Sequence, residues 1–141
     1  MNIQKFTQKS LEAVNGCEKL AYEFGNQEVD QEHLLYSLLT IDDSLILKLI
    51  EKMEINKEHF LDRSKAAIEK KTKVSGGQIY MSKALNEVLL MAEDEAKAMG
   101  DEYVSVEHLF LSLLKHPNAE IKKLFAEYGL TRERFLQALS T

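Results

Sequence analysis

The sequence contains no tryptophan, one proline and one cysteine in 141 residues. The lone Cys17 cannot close an internal disulfide, which excludes a disulfide scaffold and is typical of a reducing compartment. A single proline leaves long stretches without a helix breaker, which favours an all-α protein. No run of 18 apolar residues is present, and residues 1–5 do not open a signal peptide. We therefore expect a soluble, cytoplasmic protein with no membrane partner.

Basic residues are scarce: 18 lysines and arginines stand against 23 acidic residues, for a net charge of −5. They are also scattered, so we expect no nucleic-acid partner. None of the six glycines begins a G-x-x-x-x-G-K-[ST] phosphate loop, which places any ATPase module outside this chain. Cys17 has no suitable base beside it and no G-x-S-x-G motif is present, so the chain is predicted to be non-catalytic.

What the sequence does contain is a long internal repeat. Residues 7–66 recur as residues 82–141 at a constant offset of 75 positions, with 17 of 60 positions identical. Residues 29–39 and 104–114 anchor the repeat, and each segment contains Glu-His-Leu. Short-repeat solenoids have units of roughly 20–50 residues, so this is a duplicated half-domain. Two such halves are expected to bury their apolar faces against each other about a pseudo-twofold axis.

Helical periodicity and capping residues divide each repeat into four helices. The predicted N-caps are Thr7, Asp30, Asp43 and Asn56 in the first repeat, and Ser82, Ser105, Asn118 and Thr131 in the second. Gly25 and Gly100 follow the first helix of each repeat, where a left-handed residue ends a helix. We predict an all-α fold of two tandem four-helix repeats, eight helices in all. It forms one domain, 1–141, with repeats 7–71 and 80–141 joined by linker 72–79.

The repeat, its caps and the two Glu-His-Leu segments together resemble the N-terminal domain of the Clp/Hsp100 family of AAA+ unfoldases. Residues 6–10 and 100–109 are most similar to the ClpB-type disaggregases of this family. The resemblance implies a stress-response chaperone domain that binds unfolded or aggregated polypeptide weakly and passes it to a hexameric motor. It also implies the rest of that hexamer and adaptor proteins as partners. ATP and magnesium would belong to the motor, and no cofactor is expected here.

The resemblance also implies candidate binding residues. Thr7, Asp101 and Glu107 match positions important for ClpB function, and Leu89 and Met91 match apolar positions that line a groove. His108 stands where some relatives carry leucine. Each also has a structural interpretation: Thr7 caps a helix, Asp101 follows a capping glycine and Leu89 lies on the core stripe. Met91 lies off that stripe, which makes it the better candidate for an exposed binding residue.

An alternative function is adaptor or phosphoarginine-degron binding in a ClpC-like unfoldase that feeds a protease. In ClpC-type domains the glutamates that match Glu32 and Glu107 resemble phosphoarginine-recognition elements, whose carboxylates would pair with the guanidinium. The segments that flank them here, residues 30–31 and 105–106, depart from the ClpC pattern. Both glutamates could equally complement a helix dipole.

A freestanding metal-binding bundle or helical enzyme is the remaining alternative. Glu32-His33 and Glu107-His108 are adjacent pairs, and adjacent side chains diverge by about 100° on a helix. Chelating helices instead space their ligands one turn apart, so we expect no metal site.

Overall fold

The computed structural model describes residues 2–141, which form eight α-helices and two very short strands. The helices are α1 (Gln8–Glu23), α2 (Gln31–Thr40), α3 (Leu45–Lys52), α4 (Lys57–Glu69), α5 (Lys83–Ala98), α6 (Val106–Lys115), α7 (Ala119–Glu127) and α8 (Arg132–Ser140). A 3-10 turn, Ile3–Lys5, precedes α1. The strands are β1 (Glu28–Val29) and β2 (Tyr80–Met81), which pair in parallel. The predicted eight-helix, all-α fold is confirmed.

Capping residues explain where the first helix of each repeat begins and ends. The hydroxyl of Thr7 accepts the Ser10 N–H at 3.2 Å, and that of Ser82 accepts the Leu85 N–H at 2.9 Å. These bonds satisfy amides that a helix start leaves unpaired. After α1 and α5 the backbone turns left-handed, with φ +73° at Gly25 and +72° at Gly100. Both helices therefore have the caps that the sequence predicted.

The start of α3 differs from the prediction by one residue. Ser44, not Asp43, is the N-cap, and its hydroxyl accepts the Leu47 N–H at 3.1 Å. Asp43 instead takes a left-handed conformation with φ 55° in the preceding turn, which aspartate tolerates better than most residues. In the second repeat Asn118 caps α7 as predicted. The predicted Asp43 cap was wrong because aspartate is favoured both in turns and at helix N-caps, so the residue type alone does not distinguish the two positions.

The packing of the helices follows the pseudo-twofold relation. Within the repeats, α1 packs on α2 and α5 packs on α6. Between the repeats the contacts are reciprocal, since α1 contacts α6 while α2 contacts α5, and α3 contacts α8 while α4 contacts α7. Phe60 and its pseudo-equivalent Phe135 are both fully buried in one continuous core. Burial of this shared core joins the two repeats.

The strands exchange between repeats in the same reciprocal way. Met81, just before α5, pairs with Val29 of the first repeat, and Phe6, just before α1, forms a bridge with Val104 of the second. The Ser82 N–H donates to the Val29 carbonyl at 2.9 Å, and the Thr7 N–H donates to the Val104 carbonyl at 2.9 Å. In each repeat, the residues just before the first helix thus pair with the backbone of the other repeat.

Between α4 and β2, residues 70–79 form neither helix nor strand. Gly76 and Gly77 have φ of +79° and +85° there. The division into repeats 7–71 and 80–141 with linker 72–79 stays a prediction. No helix within residues 2–141 is both long and apolar enough to cross a membrane.

Candidate functional site

An apolar groove of about 670 Å³ opens between α1, β2 and the start of α5. We call it the seam groove, because its walls come from both repeats. It is lined mainly by Val14, Cys17, Glu18 and Tyr22 of α1, by Val29 of β1, by Ile79, Tyr80 and Met81 at β2, and by Leu85 and Leu89 of α5.

The seam groove has a buried floor and an exposed rim. Cys17 and Leu89 are at most 3% exposed, whereas Tyr22 is 78%, Tyr80 53% and Met81 45% exposed. Burial raises the pKa of the Cys17 thiol to about 12, so that it is neutral and unreactive at physiological pH. Large apolar side chains that cluster on a surface beside a cavity commonly mark a binding site.

The duplication does not create a second groove of the same chemistry. At the pseudo-equivalent positions, 75 residues away, Tyr22 is replaced by Lys97, Tyr80 by Lys5 and Ile79 by Gln4. Three apolar or aromatic side chains of the rim thus become polar or charged. The apolar character of the seam groove belongs to one side of the pseudo-twofold axis only.

The structure separates the predicted site residues into two regions. Leu89 lies in the floor of the seam groove, as expected of a groove-lining or core residue. Met91 is half-buried and does not line that groove. Thr7, Asp101 and His108 lie at the opposite strand exchange, around Val104, where the Thr7 N–H bonds to the Val104 carbonyl and His108 to the Asp101 carboxylate. Glu107 follows in the first turn of α6. The binding roles of these residues stay predictions.

Both histidines cap their helices in the same way. The Asp30 N–H donates to Nδ1 of His33 at 2.9 Å, and the Ser105 N–H donates to Nδ1 of His108 at 2.8 Å. Since Nδ1 accepts, the ring proton lies on Nε2 in the neutral imidazole. The Nε2–H of His33 then donates to the Asn26 amide oxygen at 2.9 Å. Burial, with the nearby Lys71 charge, lowers the pKa of His33 to about 4.

The two glutamates of the phosphoarginine hypothesis have different surroundings. Glu32 is buried, and its Oε1 lies 3.3 Å from Nζ of Lys71 and 3.1 Å from the amide nitrogen of Asn118. Burial, together with the charge of Asp30, raises the pKa of Glu32. Glu107 is half-buried and has no hydrogen-bond or ion-pair partner within residues 2–141. Only Glu107 has a carboxylate that is free to meet a ligand.

Sequence reasoning missed a cluster that joins the repeats, which we call the polar clasp: Asp30, Glu32, Lys71, Ser82 and Asn118. The Asp30 carboxylate accepts from the Ser82 hydroxyl at 2.8 Å and from Nζ of Lys71 at 3.0 Å. Burial alone would raise the pKa of Asp30, but these bonds and one from the Gln31 N–H outweigh it and lower the pKa. The partners lie 41 to 88 residues apart in the chain, and no local pattern connects them.

Within residues 2–141 no group of three or more histidine, cysteine, aspartate or glutamate side chains is placed to hold a metal ion. His33 and His108 instead cap their helices, and Glu32 belongs to the polar clasp.

The sequence matches the Clp repeat (R) N-terminal domain over residues 5–128. It is 41% identical over 145 residues to the chaperone protein ClpB of Nitratidesulfovibrio vulgaris and 38% identical over 138 residues to that of Porphyromonas gingivalis. The match covers 99% of this chain and 17% of the first relative, and 98% and 16% for the second. The chain therefore spans about a sixth of the length of these relatives.

Solved structures show the same fold. The Hsp104 N-terminal domain from Candida albicans superposes with a TM-score of 0.82 at 22% identity, covering 95% of this chain and 88% of that one. A ClpV N-domain in complex with a VipB peptide superposes with a TM-score of 0.74 at 24% identity, covering 98% and 89%.

Proposed function

This chain belongs to the Clp repeat N-terminal domain family, and from that premise we propose that it is the client-binding accessory domain of a ClpB-like, ATP-dependent disaggregase. It captures exposed apolar segments of unfolded or aggregated polypeptide and passes them to the motor. The ATPase modules lie in the part of the protein outside this chain. The observation that carries the proposal is the seam groove, an apolar cavity whose rim exposes Tyr22, Tyr80 and Met81.

The groove suits clients of varied sequence. Tyrosine rings provide a large apolar face with a polar tip, and Met81 adapts its shape to different side chains. Such contacts are individually weak. In a hexamer, six copies near one pore would raise the effective concentration of binding sites, so a weak single site is sufficient for capture.

Tyr22→Ala tests the proposal. Removing this ring deletes apolar contact worth about 1–2 kcal/mol, so we expect affinity for an unfolded polypeptide to fall roughly tenfold. The measurement is an amide NMR titration of the 141-residue chain with a reduced, carboxymethylated protein that cannot refold. Lys97→Ala is the matched control, because Lys97 is the pseudo-equivalent of Tyr22 outside the groove. It should leave affinity unchanged.

The position of the shifts decides which surface binds. Shifts at Tyr22, Met81 and Leu89 support the seam groove. Shifts confined to Thr7, Met91 and residues 101–108 would move the site to the opposite strand exchange, and the groove proposal would fail. An unchanged spectrum would contradict client binding altogether.

The second candidate function, recognition of phosphoarginine, is favoured by one observation: the carboxylate of Glu107, at the start of α6, has no partner within residues 2–141. A phosphoarginine peptide would then lose affinity with Glu107→Gln. Glu32→Gln should have little direct effect on binding, because Lys71 and Asn118 already occupy that carboxylate. Equal binding of the unphosphorylated peptide would rule this function out.

A further inference from the structure

One edge of β2 is open. The N–H groups of Tyr80 and Ser82 donate to β1 and its flank, to the Gln27 carbonyl at 3.0 Å and the Val29 carbonyl at 2.9 Å. Backbone groups of successive strand residues point to opposite sides. The N–H and C=O groups of Ile79 and Met81 therefore point away from β1. Within residues 2–141 none of these four groups has a hydrogen-bond partner.

In the pseudo-equivalent edge of the other strand exchange, both outward N–H groups are already bonded. There the outward N–H groups belong to Gln4 and Phe6. The Phe6 N–H donates to the Ile3 carbonyl at 3.0 Å, and the Gln4 N–H donates to the side-chain oxygen of Asn2 at 3.2 Å. Phe6 is also 6% exposed, whereas its counterpart Met81 is 45% exposed. The duplicated architecture thus leaves the outward N–H groups of one strand edge unpaired and bonds those of the other within its own chain.

The open edge lies on the seam groove, since Ile79, Tyr80 and Met81 all line it. Resting on the proposed function, we propose that client polypeptide binds as an added β-strand. An extended segment pairs its backbone with Ile79 and Met81 and directs alternate side chains into the seam groove. The domain accordingly has one such site, not two.

The pattern of hydrogen-bond donors and acceptors along the open edge fits an extended chain as the occupant. Two donors and two acceptors alternate along the edge, and an extended backbone presents the same alternation in reverse. A helical segment cannot pair there, because its own N–H and C=O groups are already bonded to one another. Backbone pairing is also independent of sequence, apart from proline, which is what a receptor for many unfolded proteins requires.

A set of three peptides tests the strand addition. The probe is a short capped peptide in which valine alternates with threonine between terminal lysines, compared with versions N-methylated on all valines or on all threonines. Alternate amides of an added strand face β2, so one N-methylated version should lose roughly tenfold or more in affinity while the other keeps it within about threefold. Equal affinities for the two methylated versions would overturn the proposal.

The protein side provides an independent readout. Met81→Pro removes the outward N–H but none of the bonds to β1, so we expect peptide affinity to fall roughly three- to tenfold. Met81→Leu keeps the N–H and an apolar side chain, so its loss of affinity should be smaller than that of Met81→Pro. In the unmodified chain, saturating peptide should slow amide exchange at Ile79 and Met81 at least about threefold and leave Tyr80 unchanged.

The outcomes separate this inference from the function on which it rests. Peptide shifts at Tyr22 and Leu89 with unchanged exchange at Ile79 and Met81 would mean side-chain binding alone, which contradicts strand addition and preserves the proposed function. Absence of any binding by peptide or unfolded protein would contradict both.

Discussion

The second helices of the two repeats begin with the same histidine cap, but the imidazoles hold different partners. His33 donates to the amide of Asn26, which is 4% exposed, whereas His108 donates to the carboxylate of Asp101, whose side chain is 46% exposed. The geometry of the cap is the same in both repeats, but the imidazole donates to a buried amide in the first and to a half-exposed carboxylate in the second. The backbone architecture is thus symmetric, and the chemistry that it carries is not.

The same divergence separates the other paired positions. Glu32 is enclosed by the polar clasp while Glu107 is open, and Tyr22 forms the rim of the seam groove where its counterpart is Lys97. The first repeat contributes its helix-two start to the interface between repeats. The start of α6 in the second repeat has no such polar cluster, and the Glu107 carboxylate has no partner there within residues 2–141.

The largest loss of stability is expected when the polar clasp loses Lys71, its cation. Lys71→Met leaves the buried carboxylates of Asp30 and Glu32 facing each other without a counter-charge, and breaking a buried ion pair in this way costs about 3–4 kcal/mol. Urea unfolding of the variant measures this loss. Lys70→Met is the matched control, because the Lys70 side chain is 58% exposed and its pair with Glu120 contributes under about 1 kcal/mol. Similar losses for both variants would show that the clasp has no special role.

The next effect is a loss of stability in mild acid that belongs to the first repeat. His33 has an ordinary pKa of 6.5 and a folded-state pKa of about 4, so folding favours its neutral form. This contribution to the free energy of unfolding is complete above pH 6.5 and is lost as the pH falls towards 4. The loss is about 2–3 kcal/mol near pH 4.5. The raised pKa of Glu32 acts in the opposite direction, and the lowered pKa of Asp30 matters only below its ordinary value of 3.8.

Two variants separate the His33 contribution from that of its neighbours. His33→Gln keeps a side chain that can bond to the cap but cannot titrate, so the slope of stability between pH 6.5 and 4 should flatten. Asn26→Asp gives the first repeat the partner that the second repeat has, and a carboxylate beside the ring should raise the pKa of His33 by roughly 1–3 units. Imidazole NMR titration measures that shift. A slope that is unchanged in both variants would assign the acid loss to other groups.

The smallest effect concerns the turn after the third helix of each repeat. Glu54 has φ 63° where its pseudo-equivalent, Gly129, has φ 59°. A left-handed conformation is strained for glutamate and not for glycine, so Glu54→Gly should stabilise the protein by about 0.5–1 kcal/mol and Gly129→Ala should destabilise it by about 1 kcal/mol. Thermal unfolding checks both. A loss of stability in Glu54→Gly would mean that the Glu54 side chain makes a contact that stabilises the protein by more than the backbone strain costs.

The helical architecture could be predicted because its determinants are local. Caps such as Thr7 and Ser82, and the left-handed Gly25 and Gly100, act within one turn of the residues they organise. Asp43 shows the limit, since aspartate suits both a turn and a cap. The strands were not predicted because two residues are too few to show a period. Ile79, Tyr80 and Met81, an apolar run just outside α5, were nevertheless a usable signal for a surface beside the helix.

The sequence by itself determined the duplication, the eight helices with all but one of the predicted N-caps, and the family, because each rests on short-range chemistry or on a pattern repeated along the chain. Tertiary structure alone decided which of two equivalent positions is open and which is enclosed. Ser82 and Asn118 meet Asp30, and Tyr22 and Met81 line one groove, only when the repeats dock. Burial and electrostatic pairing depend on neighbours distant in the chain, so two related segments acquire different chemistry from the surfaces that cover them.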